Sequence, residues 1–318
     1  MNFTLKKTAI ATLAVLGTVG TASAQQNFPT KTVRILTTEA GGATDVASRL
    51  IAQGLTVKWG KQVIVENRPG VLAIEALIRS SPDGYSLLYY ASGLWIRPLM
   101  EKLSYDPLKD VAPVSIGTNA PAVLAVYPAL PAKSVKELIA LAKAKPGELN
   151  YASGGAGSTP HLAAELFKSM AGVNIVRVPF KATGLAANAV VSGDVQIVFA
   201  TIGTVGPHWK SGRLRALGIT TLKPSALVPE LPPIASVLPG YELNQIQGIF
   251  APVKTPQALI KKIQQDIHDA IQDKDIRDKF LTSGAEPIGS PPEALTQAMK
   301  SEMARVEKLI KAGAIKPE

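Results

Sequence analysis

Short β-branched runs alternate with stretches of helical period along most of the chain, a pattern that predicts an α/β fold with parallel strands. In the first half the runs over 33–37, 62–66 and 85–90 read as strands, with helices between them. After Gly42, the residues Val46, Leu50, Ile51 and Leu55 recur at helical spacing, which predicts an amphipathic helix burying that face. Beyond a proline-rich stretch the alternation restarts. A helix from Val135, a strand over 149–152, a helix from Pro160 and strands over 175–179 and 195–200 follow, and the restart predicts a second domain. Helix starts carry their own signals. Ser134 with Glu137 forms a capping box, in which each side chain satisfies a backbone N–H that the helix leaves unpaired. Ser290, Pro291 and Glu293 repeat the device before the last helix, and Thr255 with Pro256 opens the one before it.

The apolar run over 242–251 reads as a strand and leads into a helix with Leu259, Ile263, Ile267 and Ile271 on one stripe. It predicts a return crossing to the first domain. Crossings near Val123 and near Gln247 give two lobes joined by a hinge of two strands: residues 25–123 with 248–318 in lobe 1, and 124–247 in lobe 2.

Two uncharged stretches bear on location. Lys6 and Lys7 precede an apolar run over 8–20, and Ala22-Ser23-Ala24 supplies the small-x-small cleavage pattern, so residues 1–24 read as a secretory signal peptide. That run is shorter than the ~20 residues a membrane-spanning helix requires. The stretch over 111–132 is long enough, but Pro113, Pro121, Pro128 and Pro131 interrupt it, and each removes a backbone donor that lipid cannot replace. It is not a membrane helix. Apolar residues at 46% against 18% charged suit a sizeable packed core. The chain contains no cysteine, which excludes disulfides, thiolate metal ligands and a cysteine nucleophile. A net charge of +10 on a secreted protein reads as solubility or as a mild attraction for anionic solutes. With no Lys/Arg block interleaved with aromatics, nucleic acid is not an expected partner.

Enzyme signals are sparse. The chain has no G-x-S-x-G, no nucleotide phosphate loop, no H-E-x-x-H and no G-x-G-x-x-G, so neither a metal nor a cofactor is expected. Of the three histidines, His268 and His208 read as surface or packing residues. His161, close in sequence to Ser153 and Ser158, leaves open a secreted serine-type hydrolase that would use one of those serines.

The chain does offer two glycine-rich loops, each running from an expected strand into an expected helix. One is Ala40-Gly41-Gly42-Ala43-Thr44-Asp45; the other is Ser153-Gly154-Gly155-Ala156-Gly157-Ser158-Thr159, followed by Pro160 and His161. A helix N-terminus exposes unpaired N–H groups and about half a positive charge, so a loop of small residues lets an anion approach closely. Thr44, Ser158 and Thr159 add hydroxyl donors, whereas Asp45 is expected to shape its loop. Other strand ends are candidates for the same cleft: Ser92 and Trp95 after one strand, Lys181 after another, and Thr201 after a third. Trp95 offers an aromatic wall for a ring, with core packing as the competing reading.

Several separated segments bear a family resemblance. Gly41-Gly42-Ala43-Thr44-Asp45, Val65-Glu66-Asn67-Arg68-Pro69-Gly70, Ser81-Pro82-Asp83-Gly84-Tyr85, Tyr105-Asp106-Pro107-Leu108-Lys109-Asp110, Leu149-Asn150-Tyr151-Ala152-Ser153 and the segment from His161 to Phe167 resemble, in order, the Bug family. Its members are periplasmic solute-binding proteins of tripartite tricarboxylate transporters. The resemblance implies a periplasmic protein with a two-lobed, type II-like flytrap fold, and a monomer is expected. It would close on a small carboxylate and deliver it to a permease of one large and one small membrane subunit; a ligand-loaded partner for a membrane sensor kinase is a separate reading that shares the binding step. It also implies that the carboxylate is held by the backbone N–H groups and hydroxyls of the two loops. The chain departs from the family pattern at Thr37-Thr38-Glu39-Ala40, at Val71-Leu72-Ala73 after Gly70, at Ala200, where an acid is common, and at Ala182, where glycine is usual. These departures bear on the identity of the ligand.

Overall fold

The computed structural model describes residues 28–38, 40–155, 158–180, 183–225, 227–313 and 315. The expected signal peptide and the positions Glu39, Ala156, Gly157, Lys181 and Ala182 lie outside the described residues. The first half runs β1 (Val33–Thr37), α1 (Ala43–Trp59), β2 (Val63–Asn67), α2 (Val71–Ile78), β3 (Ser86–Ala91) and the single-turn α3 (Gly93–Ile96). β1 lies between β2 and β3 and is parallel to both. A long strand, β4 (Val111–Val126), leads through α4 (Val135–Ala144) into the second half. There β5 (Asn150–Ser153), α5 (Thr159–Ala171), β6 (Val176–Pro179), α6 (Thr183–Ser192) and β7 (Ile197–Thr201) repeat the first arrangement, with β5 parallel to β6 and β7. α7 (Ile202–Lys210), β8 (Arg215–Ile219), β9 (Asn244–Pro252), α8 (Gln257–Gln272), α9 (Lys274–Thr282), β10 (Glu286–Pro287) and α10 (Pro292–Lys311) complete the chain.

The strands form one sheet in the order β2-β1-β3-β9-β4-β7-β5-β6, with β8 and β10 also paired to β4. The expectation of parallel strands holds within each half, but β4 and β9 are antiparallel to their neighbours, so the whole sheet is mixed. β4 pairs with β9 as far as Pro121 and with β7 from Ala122 onward, and so passes from one lobe into the other. Prolines are tolerated in this strand where the ladder is irregular: the register with β9 shifts between Pro113 and Ser115. The fold is α/β and two-lobed, with β4 and β9 as the crossing strands.

One core packs Ile35, Leu87 and Ile249 beneath α1 and α8. A second runs continuously through both halves on the opposite face, from Leu36 and Trp95 through Leu124 to Phe167 and Phe199, with Leu295 and Met299 of α10 in it. A third, of Val123, Ala152, Val198 and Val205, lies in the second half alone.

Several sequence expectations are corrected. The buried face of α1 is Ala47, Ser48, Ile51, Ala52 and Leu55, whereas Val46 is 42% exposed. Small residues allow α1 to lie tightly against α8, where a Cβ added to Gly54 would meet the Ala270 carbonyl oxygen at 3.0 Å. Only half of the Ser134–Glu137 box forms: Ser134 Oγ accepts from the Glu137 N–H at 3.1 Å, but Glu137 accepts from the Lys133 N–H. Ser290 does not cap α10; its hydroxyl accepts from the Ile116 N–H at 3.0 Å and ties the helix approach to β4. Thr255 does not cap α8 either, and its buried hydroxyl has no hydrogen-bond partner among the described residues. The stripe Leu259, Ile263, Ile267 and Ile271 is buried as the spacing predicts.

Candidate functional site

The first glycine-rich loop joins β1 to α1. Gly41 turns the chain at φ +80°, a left-handed conformation that favours glycine, and its N–H donates to Asp45 Oδ2 at 2.9 Å. Asp45 Oδ1 accepts from Asn67 Nδ2 at 2.8 Å and pairs with Arg49 at 3.0 Å. The same Asn67 amide donates to the Thr38 carbonyl at 2.8 Å. Burial pushes the Asp45 carboxyl up, but the hydrogen bonds from Arg49, the Gly41 N–H and Asn67 outweigh it and hold its pKa below the ordinary value. Asp45 therefore organises the loop. The Thr44 hydroxyl is hydrogen-bonded to that of Thr38. The first α1 N–H groups, from Ala43 onward, precede the first i−4 bond, which Val46 makes to Gly42.

The second loop joins β5 to α5 and is braced in the same way from the neighbouring parallel strand. Arg177 of β6 donates through Nε to Ser153 Oγ at 2.8 Å and through Nη2 to the Gly154 carbonyl at 2.8 Å. Ser158 is the N-cap residue of α5, yet its hydroxyl caps nothing; the oxygen is buried without a hydrogen-bond partner among the described residues. His161 is buried in the first turn of α5. Desolvation, reinforced by the positive charges of Arg177 and Lys168, lowers its pKa to about 4 and keeps the imidazole neutral at ordinary pH.

Between the halves lies a cavity of about 520 Å³. The first half contributes Ala43, Ala91, Ser92, Gly93 and Arg97; the second contributes Ser158, Thr159, Pro160, Thr183, Ala200, Thr201 and Thr204; the crossing strands add Ala122 and Gln245. The starts of α1, α3, α5, α6 and α7 all reach this wall. Each of the four longer helices brings unpaired N–H groups and a partial positive charge, and no carboxylate lines the cavity among the described residues. Such a surface, with hydroxyls at Ser158, Thr159, Thr183, Thr201 and Thr204, is suited to receiving an anion.

Of the expected site residues, Ala43, Ser92, Ser158, Thr159 and Thr201 line the cavity. Ala40, Gly41 and Gly42 lie exposed beside it, while Thr44, Asp45, Ser153, Gly154, Gly155 and His161 belong to the loops and the first helical turns around it. Ala156, Gly157 and Lys181 lie outside the described residues. Trp95 is in the core: it is fully buried, and its indole N–H donates to Glu302 Oε2 at 2.7 Å. Arg97, Thr204 and Gln245 line the cavity without having been singled out, and Asn67 and Arg177 brace the loops. The Thr201–Thr204 spacing, which brings two hydroxyls to 3.0 Å at one helix start, is a local signal that could have found Thr204.

A cavity between two lobes, walled by helix starts, characterises a two-lobed solute-binding protein. Residues 47–315 match the sequence model of the tripartite tricarboxylate transporter family receptor, and the chain belongs to that family of periplasmic binding proteins. Among solved structures, Rpa4515 of R. palustris with adipate is 31% identical, with a TM-score of 0.79 over 92% of this chain and 100% of that one. MatC of Rhodopseudomonas palustris with bound malate is 28% identical, with a TM-score of 0.72 over 89% of this chain and 100% of the other. The periplasmic binding protein BugD is 26% identical, with a TM-score of 0.74 over 91% and 100% of the two chains.

Proposed function

We propose that this protein is a periplasmic receptor that captures a small carboxylate between its lobes and delivers it to a permease of one large and one small membrane subunit. The observation that carries this reading is the convergence of helix starts from both halves on one cavity of about 520 Å³, within the ~300–1,000 Å³ usual for small-molecule sites. Lobe 1 would comprise 25–123 with 248–318, and lobe 2 would comprise 124–247, so a ligand in the cavity touches both. Adipate and malate in the two relatives support the ligand class. Binding without turnover accords with the serines: Ser153 gives its oxygen to Arg177, and the Ser158 hydroxyl makes no hydrogen bond to a base among the described residues.

Micromolar affinity requires about 8 kcal/mol, which several charge-assisted hydrogen bonds of ~1.5–3 kcal/mol each can supply once closure excludes water. The ligand favours the closed form through contacts that exist only there. Thermal unfolding against a panel of mono-, di- and tricarboxylates tests the reading: a ligand at ~100 times its Kd should add ~2.7 kcal/mol. Stability unchanged by every acid in the panel would refute it.

A further inference from the structure

We propose that Arg97 makes the cavity selective for dicarboxylates over monocarboxylates by pairing with the ligand's second carboxylate. The proposal rests on the carboxylate-binding reading above and names the ligand class within it. Arg97 is the one ionisable side chain among the described residues that line the cavity. It stands on the wall of the first half, whereas Ser158, Thr159, Thr201 and Thr204 stand on the second. Helix starts and hydroxyls offer partial charges, which suffice for one carboxylate. A second carboxylate enclosed by the same lobes without a cation would bear the cost of desolvating an unpaired charge.

The guanidinium is held in place for this role. Its Nε donates to Glu101 Oε1 at 2.6 Å, one turn further along the chain, and Nη1 lies 3.9 Å from where a Cβ on Gly70 would stand. The side chains of Arg97 and Glu101 are 40% and 37% exposed, so their pairing contributes little to folding, and solvent or a solute can reach the charge. The planar fork of an arginine suits a carboxylate, which it can engage through two parallel hydrogen bonds. A diacid reaching from the helix starts of the second half to Arg97 in the first would join the two lobes through its own ends. A monoacid would leave Arg97 paired with Glu101.

Calorimetric titration of the full protein with adipate, glutarate and succinate, beside hexanoate, valerate and butyrate, provides the test. The wild type should bind its best diacid at least about ten-fold more tightly than the monoacid of equal length, equivalent to ~1.4 kcal/mol. Arg97→Gln should abolish that preference by weakening the diacid far more than the monoacid, with the ligand-free melting temperature unchanged because the Arg97–Glu101 pair is partly exposed. Glu101→Gln, which removes the competing carboxylate, should strengthen the diacid and not the monoacid. Equal affinity of the wild type for both classes, or equal weakening of both by Arg97→Gln, would overturn the role of Arg97 and leave the carboxylate reading standing. No binding of any acid would overturn both.

Discussion

At the scale of single residues, the glycines of the second loop have separable roles. A Cβ on Gly154 would stand 3.3 Å from Thr183 Oγ1 and 3.4 Å from Ser158 Oγ, both on residues of the cavity wall, whereas a Cβ on Gly155 would meet nothing within 4 Å among the described residues. Gly154→Ala should therefore press on the hydroxyls that face the ligand and weaken carboxylate binding by roughly ten-fold (~1.4 kcal/mol), while Gly155→Ala leaves affinity intact. Titration of the two variants side by side checks this; equal losses would mean that the loop as a whole, and not its packing on Ser158 and Thr183, governs affinity. Small residues and hydroxyls before helices were legible in the sequence because a helix start advertises itself locally. Asn67 and Arg177 were not. Each acts on a loop through the parallel register of two strands, Thr37 opposite Asn67 and Tyr151 opposite Arg177, and nothing within a window of neighbouring residues records that pairing.

At the scale of elements, α10 is coupled to the segment that carries Ser92, Gly93 and Arg97. Its Glu302 receives the Trp95 indole N–H in the core. Burial raises the Glu302 carboxyl from 4.5 to about 7, only partly opposed by the Trp95 hydrogen bond and the charge of Arg305. Because the folded state binds this proton more tightly than the unfolded chain, the stability it confers is complete below pH 4.5 and is lost as pH rises through about 7. Glu302→Gln keeps a neutral acceptor for Trp95. It should be more stable than the wild type at pH 8 by about 3 kcal/mol, with the gap closing near pH 5. His161 contributes the opposite slope on the acid side, since its pKa is lowered, but it is common to both proteins and cancels in the difference. Denaturant unfolding of both proteins across this range provides the check, and parallel curves would contradict the assignment. The strands and helices themselves were largely legible, since alternation and helical spacing are local. In the α1 stripe Ile51 and Leu55 are buried and Leu50 packs against the core, but Val46 is exposed, because the tight seat on α8 selects small residues and a search for large apolar ones rotates the face toward Val46. Ser290 and Thr255 carry cap chemistry in sequence, but Ser290 is drawn to β4 and Thr255 makes no cap hydrogen bond to its helix.

At the scale of the molecule, the same arrangement occurs twice: a central strand flanked by two parallel neighbours, a glycine-rich loop leaving its carboxyl end, and a brace from the adjoining strand. β4 and β9 set the two copies beside one another so that their helix starts share a cavity. The restart of the pattern after the prolines made the two halves legible. The mixed sense of the sheet was not, because whether a strand runs with or against its neighbour is decided by crossings between distant parts of the chain. A crystal structure with the best-binding dicarboxylate tests the central claim most directly. The account predicts one carboxylate within hydrogen-bonding distance of Ser158 Oγ and of backbone N–H groups at helix starts, the other at Arg97, and both lobes in contact with the ligand. A ligand seated outside this cavity, or held by one lobe alone, would contradict it.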